Sequence, residues 1–408
     1  MILLADLTAR QKYDLYLKML KENFTSTAKL EWLNPDGSVA FEVKDSFLQE
    51  GSLNVNFQNG TRRTAEITLE NTYKQNAIDV NNIWFGQQIR LSMGLYLPDR
   101  TPYLIPQGVF YIKDPRETFM PSAKTINLPL VDKWAYLDGS LFGNLEGNYV
   151  ANINENIYTH ISSILQINRG NGISIDNIPP ILSKYFIDKT TTTTLPDSTI
   201  VPWINTPYEL RVEYDGKTYA DVLLELNTML TGIIGYNNVG RLVVEPSELD
   251  INDNTKPIQW SYSLSQPEFL GCTYDIPMTE VYNNIILIGA NINGLQCKGR
   301  ATNTNIKSDT CVQRIGKKTI TITDSKYFSD VQCQALAEYR LKRMTILKKS
   351  ISFNSSPMYH FNENGLIELN RPDLNSSILE RHLINGFTLP ISQTGEMVVN
   401  ATSVNDIN

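Results

Sequence analysis

The side chains able to do covalent or metal chemistry are few in this sequence and poorly spaced for it. There are four cysteines, Cys272, Cys297, Cys311 and Cys333, and three histidines, His160, His360 and His382. Structural zinc takes its thiolates from close pairs separated by about two to four residues. No C-x-x-C pair occurs, so the cysteines read as buried or free thiols. Cys297 and Cys311 flank a polar stretch, 298–310, and are placed to bridge its base, although a cytoplasmic chain seldom keeps disulfides. Cys311 and His360 would have to be brought together by folding to act as nucleophile and base, and isolated thiols and imidazoles are structural far more often. A G-x-S-x-G elbow, a P-loop, a dinucleotide fingerprint and H-E-x-x-H are all absent. Asp250, Asn252 and Asn254 imitate the alternating oxygens of a calcium loop. Thr255, however, stands where that loop needs Gly, and Ser261 where it needs a bidentate Glu, so a polar surface loop is the expectation. A glycosidase carboxylate pair leaves no sequence signature, but Trp32, Trp84, Trp134, Trp203 and Trp260 are dispersed as core residues are, not gathered as a sugar platform. The expectation is a protein with no catalytic residue, no metal site and no cofactor.

Composition narrows the class further. A chain of 408 residues suits two to four domains, at roughly 100–200 residues each. Its 41% hydrophobic and 19% charged residues are those of a folded globular protein. With 36 basic against 43 acidic residues the net charge is −7, which disfavours binding to DNA phosphates but not the passage of DNA close by. The densest basic run, Arg340, Lys342, Arg343, Lys348 and Lys349, with Glu338 nearby, falls on a predicted helix and the strand after it and reads as a solvated face or partner contact. The apolar residues 1–4 are soon interrupted by Asp6, Arg10 and Lys12, so no signal-peptide core forms, and no stretch nears the ~20 apolar residues of a membrane span. A cytoplasmically made protein without a membrane partner is expected.

The elements that would position any site are mostly strands. After a helical arm carrying Leu15, Leu17, Met19 and Leu20, Leu30 and Trp32 alternate, turn at Asn34-Pro35-Asp36-Gly37, and return through Val39, Phe41 and Val43. Leu53, Val55 and Phe57 turn at Asn59-Gly60 into Ala65, Ile67 and Leu69. Runs at 89–97, 109–112 and 126–130 complete six or seven antiparallel strands, closed as a barrel or sandwich. Ile153, Ile157, Ile161, Ile164 and Leu165 then recur at helical spacing, and a second helix over 219–230 is capped by Thr218 with Asp221. Ile233, Ile234 and Tyr236 pair with Leu242 and Val244 across Asn237-Asn238-Val239-Gly240, and the Thr-rich 190–194 reads as a surface loop. From about 262 strands return, interrupted by a helix that starts at Ser329 with Gln332 and carries Leu336, Tyr339 and Arg343 on one face. The predicted class is mainly β with α+β: an arm (1–24), a first β domain (25–137), a mixed α/β insert (138–260) and a second β domain with one helix (261–408).

Several segments, taken in order, resemble a known family. They are the Asn34-Pro35-Asp36-Gly37 turn, Arg62-Arg63 before Ala65-Glu66-Ile67-Thr68-Leu69-Glu70-Asn71, Ile83-Trp84-Phe85-Gly86, Gln107-Gly108-Val109-Phe110-Tyr111-Ile112 and Asp132-Lys133-Trp134-Ala135-Tyr136-Leu137-Asp138-Gly139. Two more follow, Gly240-Arg241-Leu242-Val243-Val244-Glu245-Pro246 and Tyr282-Asn283-Asn284-Ile285-Ile286-Leu287-Ile288-Gly289. The chain resembles the baseplate hub and tail-associated proteins of bacteriophage tails, of contractile hub-like type from phages of Gram-positive hosts, over most of 30–400. The resemblance implies a virion tail-tip protein assembled in the host cytoplasm. It implies a homotrimer with two related barrel-like tube domains per subunit, forming a pseudo-six-fold ring on a hexameric tail tube or distal tail protein. A spike, fibre or tail-lysin protein would sit below, and DNA would pass through without specific binding. The chain ends at Asn408 without a hydrolase module, which places wall digestion on another protein. Arg62, Arg63, Arg340, Lys342, Arg343, Lys348 and Lys349 are the candidate contacts to acidic neighbouring subunits. A carbohydrate-binding module or wall hydrolase is the alternative.

Overall fold

The computed structural model describes residues 8–403 apart from 23, 35, 44–47, 71–82, 84–85, 122, 171, 184–191, 196, 198, 231, 247–255, 264–268, 276, 346–348, 371–378 and 392–394. The calcium-like Asp250, Asn252 and Asn254, together with Trp84, Phe85 and Lys348, lie outside the described residues.

Helix α1 (Ala9–Met19) starts where the Thr8 hydroxyl accepts from the Gln11 amide while the Gln11 side chain returns to the Thr8 amide, satisfying two otherwise orphaned donors. It buries Tyr16 and Leu20 in the main core. The first β unit comprises β1 (Ser26–Leu33), β2 (Val39–Val43), β3 (Leu48–Asn56), β4 (Arg63–Glu70), β5 (Gln88–Tyr96), β6 (Pro102–Ile112), β7 (Arg116–Met120) and β8 (Ala123–Asp132). Alternation decides which face is inward: Ala65, Ile67 and Leu69 are buried on β4 while Glu66 is exposed. The expected β1–β2 and β3–β4 hairpins both form.

The insert holds β9 (Tyr149–Ala151), α2 (Ile157–Leu165), β10 (Ile181–Leu182), β11 (Thr192–Thr194), β12 (Ile200–Pro202), β13 (Leu210–Val212), α3 (Tyr219–Met229), β14 (Gly232–Tyr236) and β15 (Leu242–Pro246). Thr218 and Asp221 cap α3 reciprocally, and α2 and α3 share a core with Ile234 and Val244. Two expectations change here. Ile153 is 44% exposed, because α2 begins only at Ile157. The threonine run is not a loop: β11 pairs with β12, as β-branched residues favour, and only 190–191 stay undescribed.

The closing part contains β16 (Ile258–Ser263), β17 (Phe269–Asp275), β18 (Asn284–Ile292), β19 (Leu295–Thr302), the short helix α4 (Val312–Ile315), β20 (Thr319–Thr323), α5 (Asp330–Met344), β21 (Ser350–Ser355), β22 (Leu366–Asn370), β23 (Leu379–Pro390) and β24 (Met397–Ser403). The helix expected within the second β domain packs elsewhere. α5 covers β18 and β19 around Ile285, Leu287, Ala301, Cys333 and Ala337, a small core of its own. The Lys298 and Arg300 amides of edge strand β19 donate to Asp330 and Gln334 of α5, so that edge is capped.

Both β units lie in one hydrogen-bonded sheet, ordered β17-β21-β24-β23-β3-β4-β8-β6-β5-β1-β2. Five strands of each share chain order and antiparallel sense: β3-β4-β8-β6-β5 and β17-β21-β24-β23-β22. A shared bulge sets one register for both: it falls between Leu48 and Glu50, opposite Leu69 and Thr68, and again between Phe269 and Gly271, opposite Ser355 and Asn354. Thr64 then faces Val131 as Ser350 faces Thr402, and Leu130 faces Ile112 as Ala401 faces Ile384. The repeat stops at the flank, where β1 runs antiparallel to β5 but β16 runs parallel to β22.

In that register His382 takes the place of Phe110, opposite Ile367 as Phe110 is opposite Ile89. Burial holds His382 neutral, pushed down to about 4, although Glu380 pulls the other way. His360 is likewise pushed down to about 4 by burial. Both folded values lie below the unfolded one, so their stabilisation is complete above pH ~6.5 and is lost as pH falls through about 4. His382→Phe, the residue of the other repeat, is expected to spare roughly 3 kcal/mol of the stability lost between pH 6.5 and 4, measured by urea unfolding at both pH values.

Candidate functional site

Of the side chains singled out for chemistry, His360 is committed to holding the fold together. His360 Nε2 faces the Gln259 carbonyl at 3.0 Å and must donate to it, so Nδ1 accepts from the Tyr16 hydroxyl at 3.0 Å. That ring pins α1 to the closing β unit, whereas Cys311 starts α4, and the two are not brought together as a pair. None of the four cysteines is in a disulfide. Cys297 lies beside Cys333, not Cys311: a Cβ added at Gly289 would meet Cys333 Sγ at 2.7 Å and Cys297 Cβ at 3.1 Å. Among the described residues no group of three or more His, Cys, Asp or Glu side chains is placed to hold a metal.

What the fold does assemble is a buried ionic joint. The Asn59-Gly60 turn, legible in the sequence only as a hairpin, docks on the insert: the Gly60 amide donates to the Ile234 carbonyl at 2.9 Å and the Ile234 amide to Asn59 Oδ1 at 2.8 Å. The next residues, Arg62 and Arg63, have fully buried side chains. Their backbone amides donate to Asp132 Oδ2 at 2.8 and 3.0 Å, and the Trp134 amide to Asp132 Oδ1 at 3.1 Å. Burial pushes that carboxyl up to about 6 against the pull of those amides. Arg62 reaches the insert, donating to Glu245 at 2.7 Å and to the Ile233 carbonyl at 3.1 Å. Arg63 turns the other way, to Glu363 ahead of β22 and to the Gln107 carbonyl at 2.8 Å. Gly235 is needed beside them, because a Cβ there would sit 2.5 Å from Arg62 Nε. A groove of about 490 Å³ opens against this cluster, lined by Ile181, Asn237, Val243, Asn362 and the two glutamates among others.

Of the basic residues nominated as contacts to neighbouring subunits, Arg62 and Arg63 are buried within the chain. Arg62 and Arg63 bind together three parts of their own chain, since desolvated guanidinium groups need carboxylates at hand and Glu245 and Glu363 supply them. Of the second cluster, Lys349 pairs with Glu380 at 3.1 Å, Lys342 is exposed on α5, and Arg340 is half-buried on the same helix, which also carries Arg343.

The second joint is a sheet pairing. β23 meets β3 antiparallel, with Phe387 opposite Val55 and Leu389 opposite Leu53, so the two β units share one core.

No family model matches the sequence, and no curated protein sequence matches it. Solved structures do. The tail protein from Neisseria meningitidis MC58 is similar with a TM-score of 0.59 at 8% identity, over 93% of this chain and 97% of that one. The 43 kDa tail protein of prophage MuSo2 from Shewanella oneidensis gives 0.56 at 12%, over 93% and 98%. Prophage tail protein gp18 from Listeria monocytogenes EGD-e gives 0.55 at 8%, over 92% and 94%. This chain has the fold of phage tail proteins. Coverage above nine-tenths on both sides means that the tail-protein fold takes in both β units and the insert, not one shared sheet. The same fold recurs within the half-lidded Francisella PdpA-VgrG complex, with a TM-score of 0.54, over 97% of this chain but 60% of that one.

Removing one partner from the ionic joint should cost more than replacing a pair. Glu363→Gln strands the arginine charge in the interior and is expected to cost about 3–5 kcal/mol, whereas Arg63→Met with Glu363→Leu recovers much of the loss. Gly235→Ala, which forces Arg62 aside, is expected to destabilise comparably to Glu363→Gln. Urea unfolding midpoints of the variants check all three.

Proposed function

We propose that the chain is the structural hub of a phage or phage-like tail. Three copies form a ring of six related β units that docks on a hexameric tail tube or distal tail protein and holds a spike, fibre or tail-lysin protein beneath it. The supporting observation is the internal repeat: five strands recur in the same order, sense and register, and the two units are already joined edge to edge through β23 and β3. A subunit with two such units can stand on a six-fold tube as a trimer. The nearly full-length likeness to tail proteins supports the same reading.

Residues 25–137 and 261–408 are the tube domains, each curling toward a barrel, with 1–24 as an arm and 138–260 as the insert. The short links from β2 to β3 and from β16 to β17 favour that curl, because they return the chain to the start of the strand order. A ring whose subunits each carry a modest net charge of −7 lets DNA through without neutralising its phosphates. The working position is the virion tail tip, after assembly in the bacterial cytoplasm, and the role is structural, not enzymatic.

Light scattering on the purified chain, with negative-stain images of the same peak, tests this. A mass near three times 46.2 kDa with ring-shaped particles is expected. A persistent monomer that retains glycan or cell-wall material would instead favour a carbohydrate-binding module.

A further inference from the structure

The joint between the β units is made once inside the chain, and the repeat holds the parts to make it again between chains. Arg116 of β7 faces Asn127 four residues after Ile112, and Thr388 of β23 faces Val398 four residues after Ile384. In the common register β7 thus occupies the place of the part of β23 that receives β3. On the other side, Asn54 of β3 faces Thr64 and Asp275 of β17 faces Ser350, so Asp275 stands in the place of Asn54. Among the described residues β7 pairs with β8 alone and β17 with β21 alone. β7 is exposed along its whole length, with Phe119 at 64% and Met120 at 59%, and Leu270 on β17 is 51% exposed.

We infer that β7 of one copy pairs antiparallel with β17 of the next, repeating the β23–β3 joint between subunits. The register carries over residue by residue. Thr388 opposite Asn54 becomes Arg116 opposite Asp275, and Pro390 opposite Ser52 becomes Thr118 opposite Thr273. Inside the chain, Thr388 Oγ1 donates to Asn54 Oδ1 at 2.7 Å. Between chains, two exposed residues of opposite charge take that place, and Phe119 and Met120 come to lie against the stretch holding Leu270 and Cys272. A joint with unlike halves repeats head to tail and closes into a ring where the rotation allows. Closure also covers two edges that would otherwise template aggregation. The inference rests on the ring proposed above and names the edges that carry it.

The test is cross-linking combined with charge exchange in the full-length chain. Residues directly opposite on antiparallel strands have Cβ atoms about 4.5–5.5 Å apart, so Thr118→Cys with Thr273→Cys, in a Cys272→Ser background, is expected to give disulfide-linked species ending at three copies under mild oxidation. Arg116→Asp and Asp275→Arg each place like charges face to face and are expected to raise the half-assembly concentration about tenfold, and the double exchange to restore it. An oligomer of trimer mass without cross-links, or single exchanges without effect, or a double exchange that fails to restore assembly, would overturn these edges while leaving the ring intact. A monomer in every variant would overturn both.

Discussion

The structure turns on one constraint: two adjacent arginines where β4 begins, Arg62 and Arg63, are wholly buried, and every part of the chain around them is arranged to make that tolerable. Guanidinium groups cannot shed their charge, so burial demands carboxylates and carbonyls within hydrogen-bond reach. Arg62 takes Glu245 from the insert, Arg63 takes Glu363 from the closing β unit, and Asp132 receives the backbone amides of both. Three segments far apart in sequence are held in one relation because each owns part of the charge balance. A shared ionic joint of this kind adds little net stability, since the cost of desolvating its charges offsets most of their attraction.

The second constraint is the continuity of the sheet. Because β23 extends past β22 to receive β3, the two β units are neither beads on a string nor domains resting against one another. They share backbone hydrogen bonds and one hydrophobic core. The unit built on β18, β19, β20 and α5, with its own small core and its capped β19 edge, is separable in kind from this frame.

Local pattern carried much of this. The period-two runs, the Asn-Pro-Asp-Gly and Asn-Gly turns, and the caps at Thr218 and Ser329 are interactions between near neighbours, so they were legible one after another along the chain. The candidate site was harder. Arg62 and Arg63 stood out by residue type, and a surface role was the natural expectation for adjacent charges; their partners lie 183 and 300 residues away, a separation no local rule bridges. The pairing of Lys349 with Glu380, 31 residues on, was equally beyond local rules.

The amino-acid sequence by itself determined the strand-dominated class, the main hairpins, the four longer helices and the lack of any recognisable catalytic motif, because these depend on side-chain type and short spacing. Tertiary structure alone decided that β3 pairs with β23, that α5 leaves the main sheet for β19, and that His382 stands where the other repeat has Phe110. Strand pairing depends on which edges meet once the chain has collapsed, and backbone hydrogen bonds carry no residue code, so the partner of an edge strand is fixed only by the folded whole.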